Sequence, residues 1–360
     1  MHPSPRENAS ASLRPHTPEA LSPDFTEAFT QAAGSARVLR FDAFMALVLY
    51  HPRLGYYRRD HIRVARDRTA DFYTASSLGN LFGELVAAAC AKLLVNCGLD
   101  PSAHTFVEIG AEPAGGVLDK LSAHPFAALR TLRVGEALTL AGPCVIFSNE
   151  LFDAQPVRRF IRRSAAWHEC GVTFGDETSS TLVETDLGPT DAAACAFLPP
   201  LGTTPEGYRF DAPRDAAALA GTLAGQPWHG LFVAFDYGKT FAELGHAVPG
   251  GTLRAYHQHT QHNDLVARPG EQDLTAHVCW DWLAEALVAQ GCTAPAVASQ
   301  ESFLVHHAGD FIGEQLARES TAGTSAISPR KRTLMHLLHP GQMGQKFQVL
   351  HAFKPAPPSA

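Results

Sequence analysis

The chain has 360 residues, 45% hydrophobic and 18% charged, with 29 glycines, 25 prolines and a formal net charge of −7. That balance excludes collagen-like, low-complexity and disordered classes, and the length allows one large or two modest domains with a core that needs no metal or disulfide staple. An acidic surplus argues against a broad nucleic-acid footprint. The seven cysteines, at positions 90, 97, 144, 170, 195, 279 and 292, form neither CxxC pairs nor a zinc spacing with histidines. They are read as reduced thiols of a cytoplasmic protein. No apolar run approaches the roughly 20 residues that span a bilayer; the best, 85–94, is Ala-rich and contains Lys92. The N-terminus has no cationic region followed by an apolar stretch, which argues against export.

Residues 1–36 are rich in Pro, Ser, Ala and Thr and are expected to form a flexible extension with one short helix near 25–33. From Phe41 the apolar positions fall at helical spacing through Phe44, Leu47 and Val48, stopping at His51-Pro52 before a turn at Leu54-Gly55. Asp71-Phe72-Tyr73-Thr74-Ala75-Ser76-Ser77 precedes a helix expected over 78–95, which Ser76 or Ser77 can cap and which carries Glu84.

Phe106-Val107-Glu108-Ile109-Gly110 is a β-rich run ending in glycine, followed by a glycine-bearing turn and a helix expected over 117–128. Further strands are expected at 144–147, ending in Ser148-Asn149-Glu150, and at 231–235, ending in Asp236-Tyr237-Gly238. Continuous apolar runs with polar carboxyl ends fit a parallel sheet covered on both faces, and ligands of such sheets sit beyond those ends. Residues 157–187 alternate like a small antiparallel meander inserted over the site. Helical patterns return at 214–224, 280–290 and 330–339, and 347–353 reads as a last strand.

Two segments carry candidate chemistry. Glu108-Ile109-Gly110 suits either a cofactor turn or a strand-to-helix turn needing positive φ. Asn149-Glu150-Leu151-Phe152-Asp153-Ala154-Gln155-Pro156 sets two carboxylates three residues apart, on one face if the segment turns helically. Such a pair suits chemistry on a cation, whether a sulfonium donor or a guanidinium or amine acceptor. The same residues would also cap a helix that Pro156 ends. His257, His259 and His262, with Asp264 close behind, sit in a loop without a zinc signature, so no metal is expected. GxSxG and GxxxxGK[ST] do not occur.

Taken in order, the segments resemble the MidA family, bacterial counterparts of the mitochondrial complex I assembly methyltransferase. The resemblance rests on Leu49-Tyr50-His51-Pro52 with Gly55-Tyr56-Tyr57, Asp71-Phe72-Tyr73-Thr74-Ala75 with Phe82-Gly83-Glu84, Glu108-Ile109-Gly110, and Asn149-Glu150-Leu151-Phe152-Asp153-Ala154. The second half adds Asp236-Tyr237-Gly238, Gly251-Thr252-Leu253-Arg254-Ala255-Tyr256, His259, Pro269-Gly270-Glu271-Gln272-Asp273-Leu274-Thr275-Ala276-His277-Val278 and Met343-Gly344-Gln345-Lys346-Phe347. It implies an α/β class I methyltransferase fold, Rossmann-like and doubly wound, with a mostly parallel sheet and an inserted small antiparallel β region. It implies S-adenosylmethionine as cofactor and a protein arginine as methyl acceptor, on a respiratory or assembly-complex subunit. Carried over by residue, Glu108 and Gly110 face the methionine moiety, and Asn149, Glu150 and Asp153 line the transfer site. Thr74, with Asp71, Asp236 and Asp273, falls at other family motifs bordering the cleft.

The domain boundaries expected are an extension at 1–36, a helical segment packing on the core at 37–100, the methyltransferase-like core at 101–156 and 229–353, the substrate-covering insertion at 157–228, and a tail at 354–360. Three departures bear on the cofactor. The loop after the first strand reads Ala111-Glu112-Pro113-Ala114-Gly115-Gly116, and Ala75-Ser76-Ser77 lacks the family's acid. Only 38 residues, 111–148, separate Gly110 from Asn149. At about 1.5 Å per helical and about 3.3 Å per extended residue, two further strands and their helices do not fit there at normal lengths. Residues 130–136 are read as the remnant second strand, making Glu136 either the ribose partner or a solvated turn acid. The expected function is methyl transfer to protein arginine; the alternative is a degenerate, non-catalytic binding or assembly factor on the same fold.

Overall fold

The computed structural model describes residues 20–58, 80–113, 115–175, 181–191, 195–258, 260–321 and 328–357. Helix α1 (Pro23–Ala33) is capped by the Ser22 hydroxyl and buries Phe25 and Phe29, so this part of the expected extension packs onto the body. Next come β1 (Val38–Arg40), α2 (Phe41–Tyr50) and α3 (Asn80–Asn96). The described elements of 37–100 go to two layers. β1 pairs with the antiparallel layer described below, and α2 packs there through Phe41, Phe44 and Val48. α3 packs on the central sheet.

That sheet begins with β2 (Thr105–Ile109), β3 (Ala128–Leu132) and β4 (Gly142–Asn149). After the antiparallel strands β5 (Arg158–Arg163), β6 (Ala166–Phe174), β7 (Leu182–Pro189) and β8 (Arg209–Ala212), helix α4 (Arg214–Ala224) leads back to β9 (Trp228–Asp236). The chain continues through β10 (Gly238–Lys239), α5 (Phe241–His246), β11 (Arg254–His257), β12 (Thr260–His262), β13 (Asp273–Thr275) and β14 (Val278–Cys279). It closes with α6 (Trp280–Ala289), β15 (Thr293–Ser299), α7 (Gln300–Thr321), α8 (Pro329–Leu338) and β16 (Gln348–Lys354).

The central sheet is six-stranded and mixed, in the order β15-β16-β9-β4-β2-β3. β9, β4, β2 and β3 run parallel, while β16 is antiparallel to both its neighbours. Alternate residues of β2, β4 and β9 point to opposite cores. Val107, Ile146 and Phe232 pack with α4 and α6. Phe106, Val145, Phe147 and Phe235 pack with α3, α7 and α8. Burial on both faces is why these strands read as unbroken apolar runs.

The shortened interval after β2 shows in the sheet. β3 is its edge strand, and the nine residues 133–141 carry the chain from β3 directly to β4. The helix expected over 117–128 is absent; turns and bends replace it. Its would-be first turn is held to β2 instead, because Val117 N–H donates to Glu108 Oε2 at 2.7 Å and Gly116 N–H donates to Asp119 Oδ2 at 2.6 Å. Pro125 further opposes a helix.

A second layer, β1-β6-β5-β8 with β7 also on β6, is antiparallel throughout and contains the expected meander. The small sheet β12-β11-β13 lies beside it. Among the described residues, no helix is long and apolar enough to cross a membrane.

Candidate functional site

A cavity of about 940 Å³ opens beyond the carboxyl ends of β2, β4 and β9, bounded on the other side by residues of the β11–β13 sheet and the Tyr50–Arg58 segment. That volume is within the range of small-ligand sites. Glu108 and Gly110 stand at the end of β2. Gly110 has φ +79, and a Cβ there would lie 2.8 Å from Leu151 Cδ1, so only glycine lets the turn pass this close. Glu108 is buried, and desolvation pushes its carboxyl up to about 7.

Asn149 ends β4, and Glu150 follows with φ +53, a left-handed conformation costing a non-glycine residue about 1–2 kcal/mol. Strain of this kind persists where neighbours over-determine it. Here Glu150 N–H donates to Phe235 O at 2.9 Å, and Asn149 Nδ2 donates to Glu150 Oε1 at 2.9 Å. Burial, then the Asp236, Glu112 and Asp273 charges, push the Glu150 carboxyl up to about 8 against the Asn149 hydrogen bond. Residues 151–155 form a turn rather than a helix, yet Asp153 still faces Glu150. The Asp153 carboxyl is raised well above its usual value by burial and by Asp236, Glu150 and Asp273. Asp273 comes from β13 and accepts the Tyr57 hydroxyl at 2.8 Å. Tyr57 in turn stacks on Tyr50, whose hydroxyl donates to Ala154 O at 3.0 Å.

Glu108, Gly110, Asn149, Glu150 and Asp153, named from the sequence, therefore line one cavity. Glu136 does not. β3 ends at Leu132, so Glu136 falls in the turn beyond it, where its carboxylate accepts Arg133 N–H at 2.9 Å. The cavity wall at that point is Arg133 and Val134, joined by Arg58, whose Nη1 donates to Val134 O at 2.9 Å. Thr74, Asp71 and His259 lie outside the described residues. His257 and His262 sit on the β11–β12 hairpin, and among the described residues no group of three or more His, Cys, Asp or Glu could hold a metal ion. Sequence reasoning missed Lys239, Arg254 and His277 as cavity residues; the signal available was that Arg254 and His277 lie within quoted family motifs and Lys239 directly follows one.

The fit to a sulfonium nucleoside can be tested on the walls themselves. Asn149 Oδ1 is buried with no hydrogen-bond partner among the described residues, and it lines the cavity together with Gly110, Glu108, Glu150 and Asp153. An orphaned acceptor beside a glycine turn and a group of carboxylates suits a cationic ligand with N–H donors.

A family model described as "Putative S-adenosyl-L-methionine-dependent methyltransferase" matches residues 126–297. The chain is 23% identical over 373 residues to "Protein arginine methyltransferase NDUFAF7, mitochondrial" of Xenopus tropicalis, covering 85% of this chain and 80% of the relative. It is 24% identical over 367 residues to the Drosophila melanogaster homolog, covering 86% and 80%. A Burkholderia thailandensis protein crystallised with S-adenosyl-homocysteine shares the fold, with a TM-score of 0.78 at 24% identity over 94% of this chain and 95% of that one. By these matches the chain is similar to the S-adenosylmethionine-dependent methyltransferases, and S-adenosylmethionine is the cofactor that the similarity supports.

Proposed function

We propose that the protein methylates an arginine side chain of another protein, on a class I, doubly wound core that has lost one outer strand. The observation that carries this reading is the group formed by Glu150, Asp153, Asp236 and Asp273 beside the cavity, in which burial and the neighbouring carboxylates raise the proton affinity of Glu150 and Asp153. No Lys or Arg among the described residues pairs with Glu150, Asp153 or Asp236. A guanidinium entering there relieves that repulsion and finds acceptors in a desolvated setting. The names of the curated relatives support the same acceptor.

S-adenosylmethionine, when bound, supplies an electrophilic methyl group on a positively charged sulfur. The chain's part is to hold the guanidinium against Glu150 and Asp153, aligned for in-line attack. The alkylated nitrogen must shed a proton, and Glu150, with its carboxyl near about 8, has an affinity matched to taking it.

Titration calorimetry with S-adenosylhomocysteine, followed by transfer of labelled methyl to peptides containing arginine or lysine, tests the reading. Saturable binding and label recovered as methylarginine are expected. No heat at millimolar ligand overturns cofactor use; binding with label only on lysine overturns the acceptor.

A further inference from the structure

We infer that the arm of the cavity beyond β9 and β16 binds a carboxylate of the substrate protein, carried beside the arginine that is methylated. The inference rests on the arginine reading and adds to it a determinant of sequence specificity.

The sheet order divides the cavity. The ends of β4, β2 and β3 underlie the half with Gly110 and Arg133; the ends of β9 and β16 underlie the other. In that second half Lys239, Arg254 and His277 converge from three separate segments. Lys239 is half-buried, on a backbone fixed by its neighbour: a Cβ at Gly238 would lie 2.1 Å from Trp280 Nε1, which donates to Gln348 Oε1 at 2.6 Å. Among the described residues the Lys239 side chain has neither a hydrogen-bond nor an ion-pair partner. Arg254 is braced by its own backbone, with Nη1 donating to Leu253 O at 2.6 Å and Gly251 O at 3.3 Å, and among the described residues it meets no carboxylate partner. His277 Nδ1 is buried without a hydrogen-bond partner among the described residues.

The three groups feel one another. After burial, the Lys239 and Arg254 charges push the His277 imidazole down to about 4, so it is neutral at physiological pH. The nearest carboxylates feel these charges but are held by other donors. Asp211 pairs with Arg159 and accepts Thr252 N–H at 2.6 Å and Leu253 N–H at 2.9 Å. Glu243 accepts Thr240 N–H and hydroxyl at 2.8 and 2.9 Å in the capping box of α5. Two cations and an orphaned imidazole on one wall thus face the carboxylates of Glu150 and Asp153 on another. A peptide with arginine and an acidic residue side by side matches both signs at once, and complementary potentials of this kind set partner choice.

The test uses the full chain saturated with S-adenosylhomocysteine and fluorescent glycine-rich peptides holding one arginine flanked by either Asp or Asn. Anisotropy is expected to show the Asp peptide binding about tenfold tighter, and Lys239→Gln to erase most of that preference. Arg254→Gln is the second variant, used if Lys239→Gln fails to show a wild-type melting transition. Equal binding of the two peptides by the wild type, or an unchanged preference in the variant that folds, overturns the inference even if arginine is methylated. Replacing the central arginine by glutamine separates the two ideas. An Asp preference that survives this change, with no transfer to arginine, counts against the acceptor and leaves the carboxylate site standing.

Discussion

Asp236, the last residue of β9, accepts the backbone N–H of Phe152 at 2.9 Å through the same oxygen that lies 3.3 Å from Asp153 N–H. Its other oxygen accepts Tyr237 N–H at 2.8 Å. One strand's terminal carboxylate therefore shapes the turn that carries Glu150 and Asp153 on the next. Asp236→Ala would leave buried N–H groups without an acceptor, each costing about 1–3 kcal/mol. A loss of at least about 3 kcal/mol is expected in urea denaturation, with Asp236→Asn intermediate because it keeps one acceptor oxygen. Equal stability of all three proteins would show that the turn holds its shape without Asp236.

On the proposed function, Glu150 meets the acceptor rather than the cofactor's adenosine half. Glu150→Gln preserves the shape of the side chain and removes its charge and its capacity to take a proton, so single-turnover transfer should fall by about 100-fold. S-adenosylhomocysteine affinity by calorimetry should stay unchanged. A parallel loss of ligand affinity would instead place Glu150 on the cofactor.

The pH dependence follows from proton affinities that folding raises. Glu108 and Glu150 move from the usual 4.5 up to about 7 and about 8, and Asp236 also moves upward, in each case chiefly by burial. Between the unfolded and folded values the native state holds protons that the unfolded chain has released, so stability falls as pH rises. The contribution is complete below about 4.5 and lost by about 8 and above. The ligand-free melting temperature should therefore drop between pH 6 and pH 9, levelling off at the alkaline end. Methyl transfer should run the other way, rising with pH toward a plateau above about 8 as Glu150 ionises. A melting temperature that climbs over the same interval would mean these carboxyls are already charged at neutral pH.

Much of the architecture was legible because burial writes itself into sequence. β2, β4 and β9 were visible as apolar runs with polar ends, and α4 as an apolar face at helical spacing. The convergence of Glu108, Asn149, Glu150 and Asp153 followed from strand ends alone. The 117–128 segment misled because its composition tolerates a helix, while a tertiary bond from Val117 N–H to Glu108 decides otherwise. α7 left little trace, being kinked at Ala308 with a largely exposed surface. The cationic arm was hidden because Lys239, Arg254 and His277 lie in different short segments that only the tertiary fold brings together.

Glu136 shows how a strand boundary decides chemistry. A strand over 130–136 would have delivered its carboxylate to the cavity; the strand that forms, ending at Leu132, leaves it closing a turn on Arg133 N–H. Arg133 takes the wall position, with Nη2 donating to Pro113 O at 3.1 Å in the loop after β2. Glu136→Ala should then change S-adenosylhomocysteine affinity by no more than about twofold, as for a surface substitution. Arg133→Ala should weaken binding more, because the loop after β2 loses its tie to the end of β3. A carboxylate on the ribose hydroxyls would cost about tenfold or more when removed. Calorimetry on the two variants decides between them, and a larger loss in Glu136→Ala would restore that residue to the cofactor site.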